Sequence, residues 1–374
     1  MALAIGCLAS ASRAGAAAEE PLSFAFLDEP PGERVSVGAT RLHLHCRGAD
    51  VSAGGAATVV FETGLGGNAL EWSPIADALA PRARVCTYDR AGYAWSDPSL
   101  ARRDARRLAR ELTQLLVAAD IDGPLIVVAH SFGGLVARLF VEGREDVIGL
   151  ILVDSSHEEQ FERLETDGRR PLVPRSRQFV ISGNAAPESL PRNIRRKVDA
   201  FARMRKTYSA THGEMAAFRD SADQVRLARR QAGAPHDFPV TVIRRGRDVY
   251  AGRTSGAAKT AAWVEMQEDL ATLGTSGRLV VAEGSGHHVH ADDPTLVVAE
   301  IDRLLAPVAP AASGAADDRS REPGSAPATR RSGEIEASGT GTGAADGRSG
   351  AAAASEADPG QVGEGGDAPG AALE

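Results

Sequence analysis

The sequence predicts an α/β fold: a mostly parallel β-sheet with helices packed on both of its faces. Short apolar runs alternate with amphipathic, helix-like stretches through most of the chain, which is typical of parallel strands joined by helical crossovers. Several runs are apolar at every position, as "LIVVA" is at residues 125–129, and this indicates strands buried on both faces. The 374 residues are 43% hydrophobic, which is enough for one large core.

The elements of this fold can be placed in order along the chain. Two alternating runs joined by a glycine-containing turn, residues 34–38 and 41–46, predict an antiparallel hairpin. The stretch at 101–121 has leucines at helical spacing and predicts an amphipathic helix. Further strands are predicted at residues 58–64, 84–90, 125–129, 147–156, 240–246 and 278–284, and further helices at 72–80, directly after Gly134, at 258–273 and from Pro294 onwards.

Composition divides the rest of the chain into domains. Residues 33–156 and 239–306 carry the strand–helix alternation and form the two parts of the predicted core. Residues 157–238 contain no β-like run but several basic amphipathic pieces, and a segment of this length predicts a small helical subdomain rather than a loop. Residues 307–374 are small, polar or charged with very few large apolar side chains, which predicts a disordered tail.

The N-terminal segment, residues 1–32, leaves the cellular location open. Its first residues are small and apolar, and "AGA" at 14–16 could precede a signal-peptide cleavage site, but the positively charged start of a signal peptide is missing. The apolar run is too short to cross a bilayer. Export and a cytoplasmic location are therefore equally compatible with the sequence, and no membrane association is expected beyond a signal or anchor in this segment.

The charge distribution argues against one class of partner. The formal net charge is -8, but residues 307–374 hold eleven acidic and five basic side chains, so the rest of the chain has only a small negative excess. A nucleic-acid-binding surface over the body of the protein is therefore not expected. The partner we expect is a small-molecule substrate.

A serine stands where a buried strand turns into a helix. The sequence Ala129-His130-Ser131-Phe132-Gly133 approximates G-x-S-x-G, the pattern in which a serine hydroxyl is held exposed on a tight strand-to-helix turn. Alanine replaces the first glycine, and its methyl group is small enough for the helix to pass behind it. The pattern predicts Ser131 as a nucleophile.

A serine nucleophile needs a base within hydrogen-bonding reach and an acid that orients the base. Functional groups in a parallel α/β sheet collect at the carboxyl ends of the strands, and the loop "GSGHHVHADDP" follows the last predicted strand. His287 is the predicted base, ahead of His288 and His290. Asp248, after the strand that precedes the histidine strand, is the predicted acid. Asp154, which ends the strand after the nucleophile's helix, is the alternative.

Acyl transfer also needs N–H donors at the place where the oxyanion develops. The backbone N–H of Phe132 lies directly after the nucleophile, at the start of a helix, and is one predicted donor. The glycine-rich corner "ETGLGGN" exposes its backbone at the end of an earlier strand. We expect the second donor there, from the N–H of Leu65.

The sequence gives little reason to expect a metal ion. It has three cysteines and no CxxC pair, which excludes a zinc ribbon and a disulfide scaffold. The groups "HLHC" at residues 43–46 and "HHVH" at 287–290 contain metal-ligating residue types, but histidines on one face of a strand are ordinary. We predict no metal site from them.

Five motifs resemble those of the α/β-hydrolase superfamily, in order along residues 33–306. They are "ETGLGG" at the oxyanion loop, "YDRAGYAWSD", the elbow "AHSFGG", "RRGRD" at the acid and "GSGHHVHADDP" at the histidine. Serine, acid and histidine also follow one another in the superfamily's order. The resemblance implies an eight-stranded sheet, a helical cap over the active site in residues 157–238, and no cofactor.

The motifs depart from the superfamily's pattern at three places. The oxyanion loop reads "ETG" where many relatives have His-Gly, which leaves the second N–H donor open. The elbow has alanine for its first glycine. The spacing from Asp248 to His287 is longer than is usual in the family, so Asp154 remains an alternative acid.

The resemblance also implies a pairing of two cysteines. Cys46 lies in the second predicted strand and Cys86 in the fourth. These strands are neighbours in the superfamily's sheet, which would bring the two cysteines close together. If the protein is exported, we expect a disulfide between them.

The predicted function is that of a serine esterase. Ser131 attacks the carbonyl of a small-molecule ester and forms an acyl-enzyme, His287 takes and returns the proton, and Asp248 orients the histidine. Amides and thioesters are second choices. Related haloalkane dehalogenases and epoxide hydrolases place a carboxylate at the elbow, so the serine argues against both activities. Perhydrolase activity and carbon–carbon bond hydrolysis by the same triad stay open, as does a non-enzymatic ligand-binding protein on this fold.

Overall fold

The structure, a computed structural model, describes residues 27, 29–48, 57–164, 186–253 and 255–306. Most of the predicted N-terminal segment, the stretch 165–185 of the predicted helical subdomain and the whole predicted tail at 307–374 lie outside the described residues. The disorder of the tail and the domain boundaries therefore stay predictions.

The described strands are β1 (Glu33–Val37), β2 (Thr40–Arg47), β3 (Thr58–Glu62), β4 (Arg84–Tyr88), β5 (Leu125–His130), β6 (Val147–Val153), β7 (Val240–Arg245) and β8 (Gly277–Ala282). They form one sheet in the order β1-β2-β4-β3-β5-β6-β7-β8. β2 pairs antiparallel with β1 and with β4, and the remaining neighbours are parallel. The predicted eight-stranded, mostly parallel α/β sheet is confirmed.

The described helices are α1 (Ser73–Leu79), α2 (Ala105–Ala118), α3 (Gly133–Val141), α4 (Gln160–Leu164), α5 (Arg192–Ala202), α6 (Arg205–Ala216), α7 (Phe218–Ala232), α8 (Gly256–Ala271), α9 (Val289–Asp292) and α10 (Pro294–Leu305). Helices α4 to α7 fall in the stretch predicted to be helical, between β6 and β7. None of the described helices combines the length and the apolar character that crossing a bilayer requires.

Helix α2 illustrates how the local sequence forms these elements. The carboxylate of Asp104 caps its first turn by accepting a hydrogen bond of 3.1 Å from the backbone N–H of Arg107. Arg106 and Arg110 are exposed, so the helix has one polar face. The apolar stripe predicted from the leucine spacing is buried at Leu108, Leu112, Leu115 and Leu116.

Alternate side chains of the buried strands form two apolar cores, one on each face of the sheet. Val127 of β5 belongs to the core that includes residues of α2 and α3. Its neighbour Val128 belongs to the core that includes residues of α1 and α10. Because successive side chains of a strand point to opposite faces, a strand must be apolar at every position to fill both cores.

A disulfide joins β2 to β4. Cys46 and Cys86 are directly opposite each other in this antiparallel pair, with their Cα atoms 4.1 Å apart, and their sulfur atoms are bonded. The pairing that the resemblance implied is confirmed. The bond crosslinks the antiparallel part of the sheet to its parallel centre.

Removing this disulfide should lower the free energy of unfolding. The bond joins residues 40 positions apart, and the loss of chain entropy in the unfolded state predicts a stabilisation of about 4 kcal/mol. Guanidinium unfolding of a Cys46→Ala/Cys86→Ala variant beside the oxidised wild type measures it. Equal unfolding midpoints and slopes would contradict the expectation.

A buried ion pair links α3 to the segment that follows β6, and through that segment to α7. Glu158 accepts two hydrogen bonds, of 2.5 and 3.1 Å, from the guanidinium of Arg138 in α3, and a third, of 3.1 Å, from Arg229 in α7. Burial alone would raise the pKa of Glu158, but the charge and hydrogen bonds of Arg138 outweigh it and hold that pKa well below its ordinary value. Glu158 is therefore ionised and links α3 to α7.

Replacing this carboxylate should destabilise the protein in a pH-dependent way. Glu158→Gln leaves the buried Arg138 without its counter-charge, which we expect to cost about 3 kcal/mol at about pH 7. Because folding lowers the pKa of Glu158, its contribution is present above the unfolded value and is lost as the pH falls through the folded value. Urea unfolding of variant and wild type at about pH 7 and about pH 3 should show the difference shrinking. A difference of equal size at both pH values would contradict this account.

Candidate active site

Ser131 lies on the turn between β5 and α3 with a φ of +52°. Residues other than glycine seldom adopt this left-handed backbone conformation, which is typical of a nucleophile on a strand-to-helix turn. The neighbouring strand β6 and the residues after it hold the turn in place. The N–H of Ser131 donates to the carbonyl of Val153 at 3.2 Å, and the N–H of Ser156 donates to the carbonyl of Ser131 at 3.0 Å.

Close contacts with neighbouring residues require glycine at positions 133 and 134. A Cβ at Gly133 would lie 2.4 Å from the carbonyl oxygen of Thr63, and a Cβ at Gly134 would lie 1.8 Å from the Oγ of Ser155. Ala129, which replaces the first glycine of the usual pattern, is fully buried in β5. The turn therefore accommodates a methyl group before the serine but no side chain after Phe132.

His287 lies in the loop between β8 and α9 and reaches the serine. Its Nε2 is 3.0 Å from the Oγ of Ser131, and its Nδ1 is 2.6 Å from the Oδ2 of Asp154. When Nδ1–H donates to the carboxylate, Nε2 can accept the proton of the serine hydroxyl. Of the three histidines considered from the sequence, His287 is the one that the structure brings to Ser131.

The carboxylate next to His287 belongs to Asp154, the alternative acid of the sequence analysis. Asp154 directly follows β6, has a φ of +39° and is fully buried. It also accepts hydrogen bonds from the backbone N–H of Arg245 at 3.2 Å, from the Arg245 guanidinium at 2.5 Å and from the indole N–H of Trp263 at 2.9 Å. Four donors converge on one carboxylate.

These donors keep Asp154 ionised. Burial alone would raise the pKa of Asp154, but the hydrogen bond and charge of His287, together with the charge of Arg245, lower that pKa below its ordinary value. An ionised carboxylate can orient the imidazole and stabilise it when it gains a proton. The environment of Asp154 therefore suits it to the role of the acid.

The prediction that Asp248 orients His287 is wrong. Asp248 lies exposed beyond the end of β7, where it accepts hydrogen bonds from the N–H of Tyr250 at 2.9 Å and the hydroxyl of Thr260 at 2.6 Å. It organises its own turn, as aspartates after strands often do. Strand β7 contributes a different residue to the site, Arg245, whose guanidinium pairs with the carboxylate of Asp154.

Neither Arg245 nor Trp263 was predicted from the sequence as part of the site. The guanidinium of Arg245 lies 4.1 Å from the centre of the Trp263 ring while it binds Asp154, so the two side chains support each other and the carboxylate. The stretch "VTVIRRG" at residues 240–246 contains a signal that could have identified Arg245. An arginine at the end of a buried strand needs an anionic partner, and the nearest strand end carries one.

The glycine corner after β3 lies over the serine. A Cβ at Gly64 would be 3.3 Å from the Cβ of Ser131 and 2.7 Å from the Nδ1 of His130, so this approach requires glycine. Leu65 and Ser131 line the same cavity. Phe132 immediately precedes α3, where the first N–H groups have no partner inside the helix. Both positions are compatible with the predicted oxyanion donors.

Further histidines surround His287. The ring of His130 lies 4.7 Å from that of His287, and the ring of His288 lies 5.4 Å from it. Burial lowers the pKa of His130 well below its ordinary value and that of His288 to about 4, so both rings are neutral near neutral pH. The ring of His130 contacts the carbonyl of His287 through its Nε2 at 2.9 Å, which fixes the histidine loop. No role for His130 was predicted from the sequence.

One group among the described residues has the spacing of metal ligands, formed by His157, Glu158 and Asp269. Arg138 and Arg229 already bind its carboxylates, so positive charge is in place there and a cation would be repelled. Cys46 of the "HLHC" group is bonded to Cys86. These contacts give no reason to infer a bound metal.

A cavity of about 450 Å³ opens at Ser131 and His287. Residues of the sheet edge and of the helices after β6 both contribute to it. Glu71 and Gln160 are polar members of its wall. Its apolar and aromatic wall is formed by Leu65, Leu164, Pro187, Phe218, Val249, Tyr250 and Trp263.

The chain is similar to known protein sequences. The model of the alpha/beta hydrolase family matches residues 59–301. The uncharacterized protein YqjL of Bacillus subtilis (strain 168) is 27% identical over 241 residues, which cover 64% of this chain and 80% of that protein. An AB hydrolase superfamily protein of Gibberella zeae is 26% identical over 298 residues, which cover 71% of this chain and 91% of that protein.

Comparison with solved structures gives the same fold. Cfl2 from Burkholderia cenocepacia superposes with a TM-score of 0.54 at 20% identity, covering 73% of this chain and 95% of that one. The epoxide hydrolase CorEH superposes with a TM-score of 0.53 at 17% identity, covering 74% of this chain and 99% of that one. At these identities the likeness shows the fold alone.

The two aspartates should differ in their effect on the reactivity of Ser131. We expect Asp154→Asn to slow covalent labelling by a fluorophosphonate probe about 10³-fold or more, because the imidazole loses its orienting carboxylate. Asp248→Asn, the matched change at an exposed turn, should label within about twofold of wild type. Labelling rates of the three purified proteins measure this. Slow labelling of Asp248→Asn with normal labelling of Asp154→Asn would reverse the assignment.

Proposed function

The chain belongs to the alpha/beta hydrolase family, and on this basis we propose that it is a serine hydrolase acting on small-molecule carboxylic esters. The observation that carries the proposal is the series of hydrogen bonds from Ser131 through His287 to the buried carboxylate of Asp154. A serine hydroxyl is a weak nucleophile at neutral pH. A base with an orienting acid is what makes it reactive.

The first half of the reaction forms an acyl-enzyme. Ser131 Oγ attacks the ester carbonyl while His287 Nε2 takes the hydroxyl proton, and the carbonyl oxygen becomes an oxyanion. The backbone N–H groups of Leu65 and Phe132 donate hydrogen bonds to that oxyanion. When the intermediate collapses, the carbon–oxygen bond to the alcohol breaks, and the imidazolium returns its proton to the leaving oxygen.

The second half regenerates the enzyme. Water attacks the acyl carbonyl and gives a proton to His287, and the carboxylic acid leaves as Ser131 recovers its proton. Asp154 stays ionised throughout and stabilises the imidazolium in each half. Arg245 and Trp263 hold the carboxylate in one orientation, so the imidazole is aligned before the substrate binds.

The cavity supports a small substrate with an apolar part. Its volume of about 450 Å³ falls in the usual range for small-molecule sites. Phe218, Val249 and Trp263 offer apolar surface to an acyl chain or an alcohol group. An ester of this kind gains binding energy from the wall and presents its one polar group, the carbonyl, to Ser131.

The residue at the elbow favours an ester over an epoxide. One structurally similar protein is an epoxide hydrolase, and epoxide hydrolases related to this fold place a carboxylate where Ser131 stands. Ring opening by a carboxylate leaves an ester that water can cleave, whereas serine attack on an epoxide would leave a stable ether. Acyl chemistry is the reaction that a serine with an activated hydroxyl performs with turnover.

Turnover of p-nitrophenyl butyrate should depend on Ser131. We expect wild type to release nitrophenolate continuously, and Ser131→Ala to lower kcat about 10⁵-fold or more, because the covalent route is lost. The acyl-enzyme trapped by rapid acid quench should be found by peptide mass on Ser131 rather than on Ser155 or Ser156. The melting temperature of Ser131→Ala controls for folding. A folded Ser131→Ala that retains the wild-type rate would overturn the proposal.

A further inference from the structure

A buried arginine, Arg90, holds the loop that carries one predicted oxyanion donor. It follows β4 in the stretch "YDRAG" and is 2% exposed. Its guanidinium donates to the carbonyl oxygen of Thr63 at 2.7 Å and to the Thr63 hydroxyl at 3.0 Å. A second guanidinium nitrogen donates to the carbonyl oxygen of Gly64 at 2.7 Å. The loop backbone is therefore held at two successive carbonyl groups.

The second of these contacts bears directly on the oxyanion donor. The carbonyl of Gly64 and the N–H of Leu65 belong to the same peptide group. A trans peptide points its carbonyl and its N–H in opposite directions, so a carbonyl fixed on Arg90 turns the N–H away from the guanidinium. Leu65 and Ser131 both line the cavity. A charged donor on the carbonyl also polarises the peptide and strengthens its N–H as a donor.

Arg90 itself has little freedom to move. Its guanidinium pairs with Glu62 at the end of β3, and it donates to both carboxylate oxygens of Glu214 in α6 at 3.0 Å each. Glu214 also accepts from Arg103 at 2.7 Å, so two buried arginines balance two buried glutamates. Burial alone would lower the pKa of Arg90, but Glu214 and Glu62 raise it well above its ordinary value.

We propose that Arg90 is a positioning residue of the hydrolytic reaction, which sets the orientation of the Gly64–Leu65 peptide for oxyanion binding. This inference rests on the proposed function. Arg90 acts through the loop and not on the substrate. The oxyanion exists only in the transition state and the tetrahedral intermediate, so Arg90 contributes to kcat and hardly to substrate binding.

The chain provides a matched control for this role. Arg103 is a second buried arginine of the same ionic network, 6% exposed, and its described hydrogen bond goes to Glu214 rather than to the oxyanion loop. Replacing either arginine by lysine keeps the charge and removes one guanidinium from the network. Both variants should lose stability, and Arg90→Lys should lose more because Arg90 makes more hydrogen bonds. Melting temperatures measure that difference, and a large loss of kcat is expected in Arg90→Lys alone.

The test compares Arg90→Lys and Arg103→Lys in hydrolysis of p-nitrophenyl butyrate. We expect Arg90→Lys to lower kcat about 10- to 100-fold with KM within about threefold of wild type, because the donor remains but is misaligned. Binding of an alkyl trifluoromethyl ketone, whose adduct with a serine carries an oxyanion, should weaken by about the same factor. Arg103→Lys should keep kcat and ketone binding within about threefold of wild type.

A charge-balanced variant keeps the test valid if Arg90→Lys does not fold. Glu62→Gln/Arg90→Gln removes one buried charge of each sign, and the shorter amide at position 90 cannot hold both loop carbonyls. The same loss of kcat is expected. A folded variant of Arg90 with wild-type kcat, or an equal loss in Arg103→Lys, overturns the inference alone. If the wild-type protein shows no turnover that depends on Ser131, the proposed function is overturned, and this inference is overturned with it.

Discussion

The geometry of the candidate active site depends on one buried carboxylate, that of Asp154. A fully buried charge requires donors around it, and here they come from the loop after β8, from the end of β7 and from α8. The need to satisfy Asp154 therefore draws His287, Arg245 and Trp263 to a single point. Since His287 is held at Nδ1, its Nε2 is left at 3.0 Å from Ser131, which is where a base must be.

Ionic contacts also decide how the helices between β6 and β7 are seated on the sheet. Glu214 of α6 binds Arg90 beside the oxyanion loop, and Arg229 of α7 binds Glu158 just after β6. Buried ion pairs are directional and costly to break, so they specify one arrangement where apolar contacts alone would permit several. The two ion pairs are separate anchors: the first holds α6 beside the oxyanion loop, and the second holds α7 beside the segment that follows β6.

The position of the acid shows where inference from the sequence stops. Asp154 and Asp248 follow strands that are neighbours in the sheet, so strand order and spacing alone place both near the histidine loop. The register decides between them. Val153 pairs with Ile243, and the N–H of Asp154 donates to the carbonyl of Ile243 at 2.7 Å. Asp154 is therefore held at the carboxyl end of β6, against β7. Asp248 lies further along the chain, beyond the end of β7, where the N–H of Tyr250 and the hydroxyl of Thr260 donate to its exposed carboxylate.

The amino-acid sequence by itself determined the parallel α/β sheet and the serine turn. It also limited the candidates for the base to the histidines of the loop that contains His287. These features are encoded in consecutive residues, because apolar periodicity, small residues at a turn and the order of strands are local properties of the chain. Through the resemblance it also led to the pairing of the two strand cysteines. Only the tertiary structure decided that Asp154 is the carboxylate at His287. It also decided that Arg245 binds Asp154 and that Arg90 binds the oxyanion loop. Those choices depend on which side chains from distant elements are buried together, and burial next to an opposite charge cannot be read from spacing.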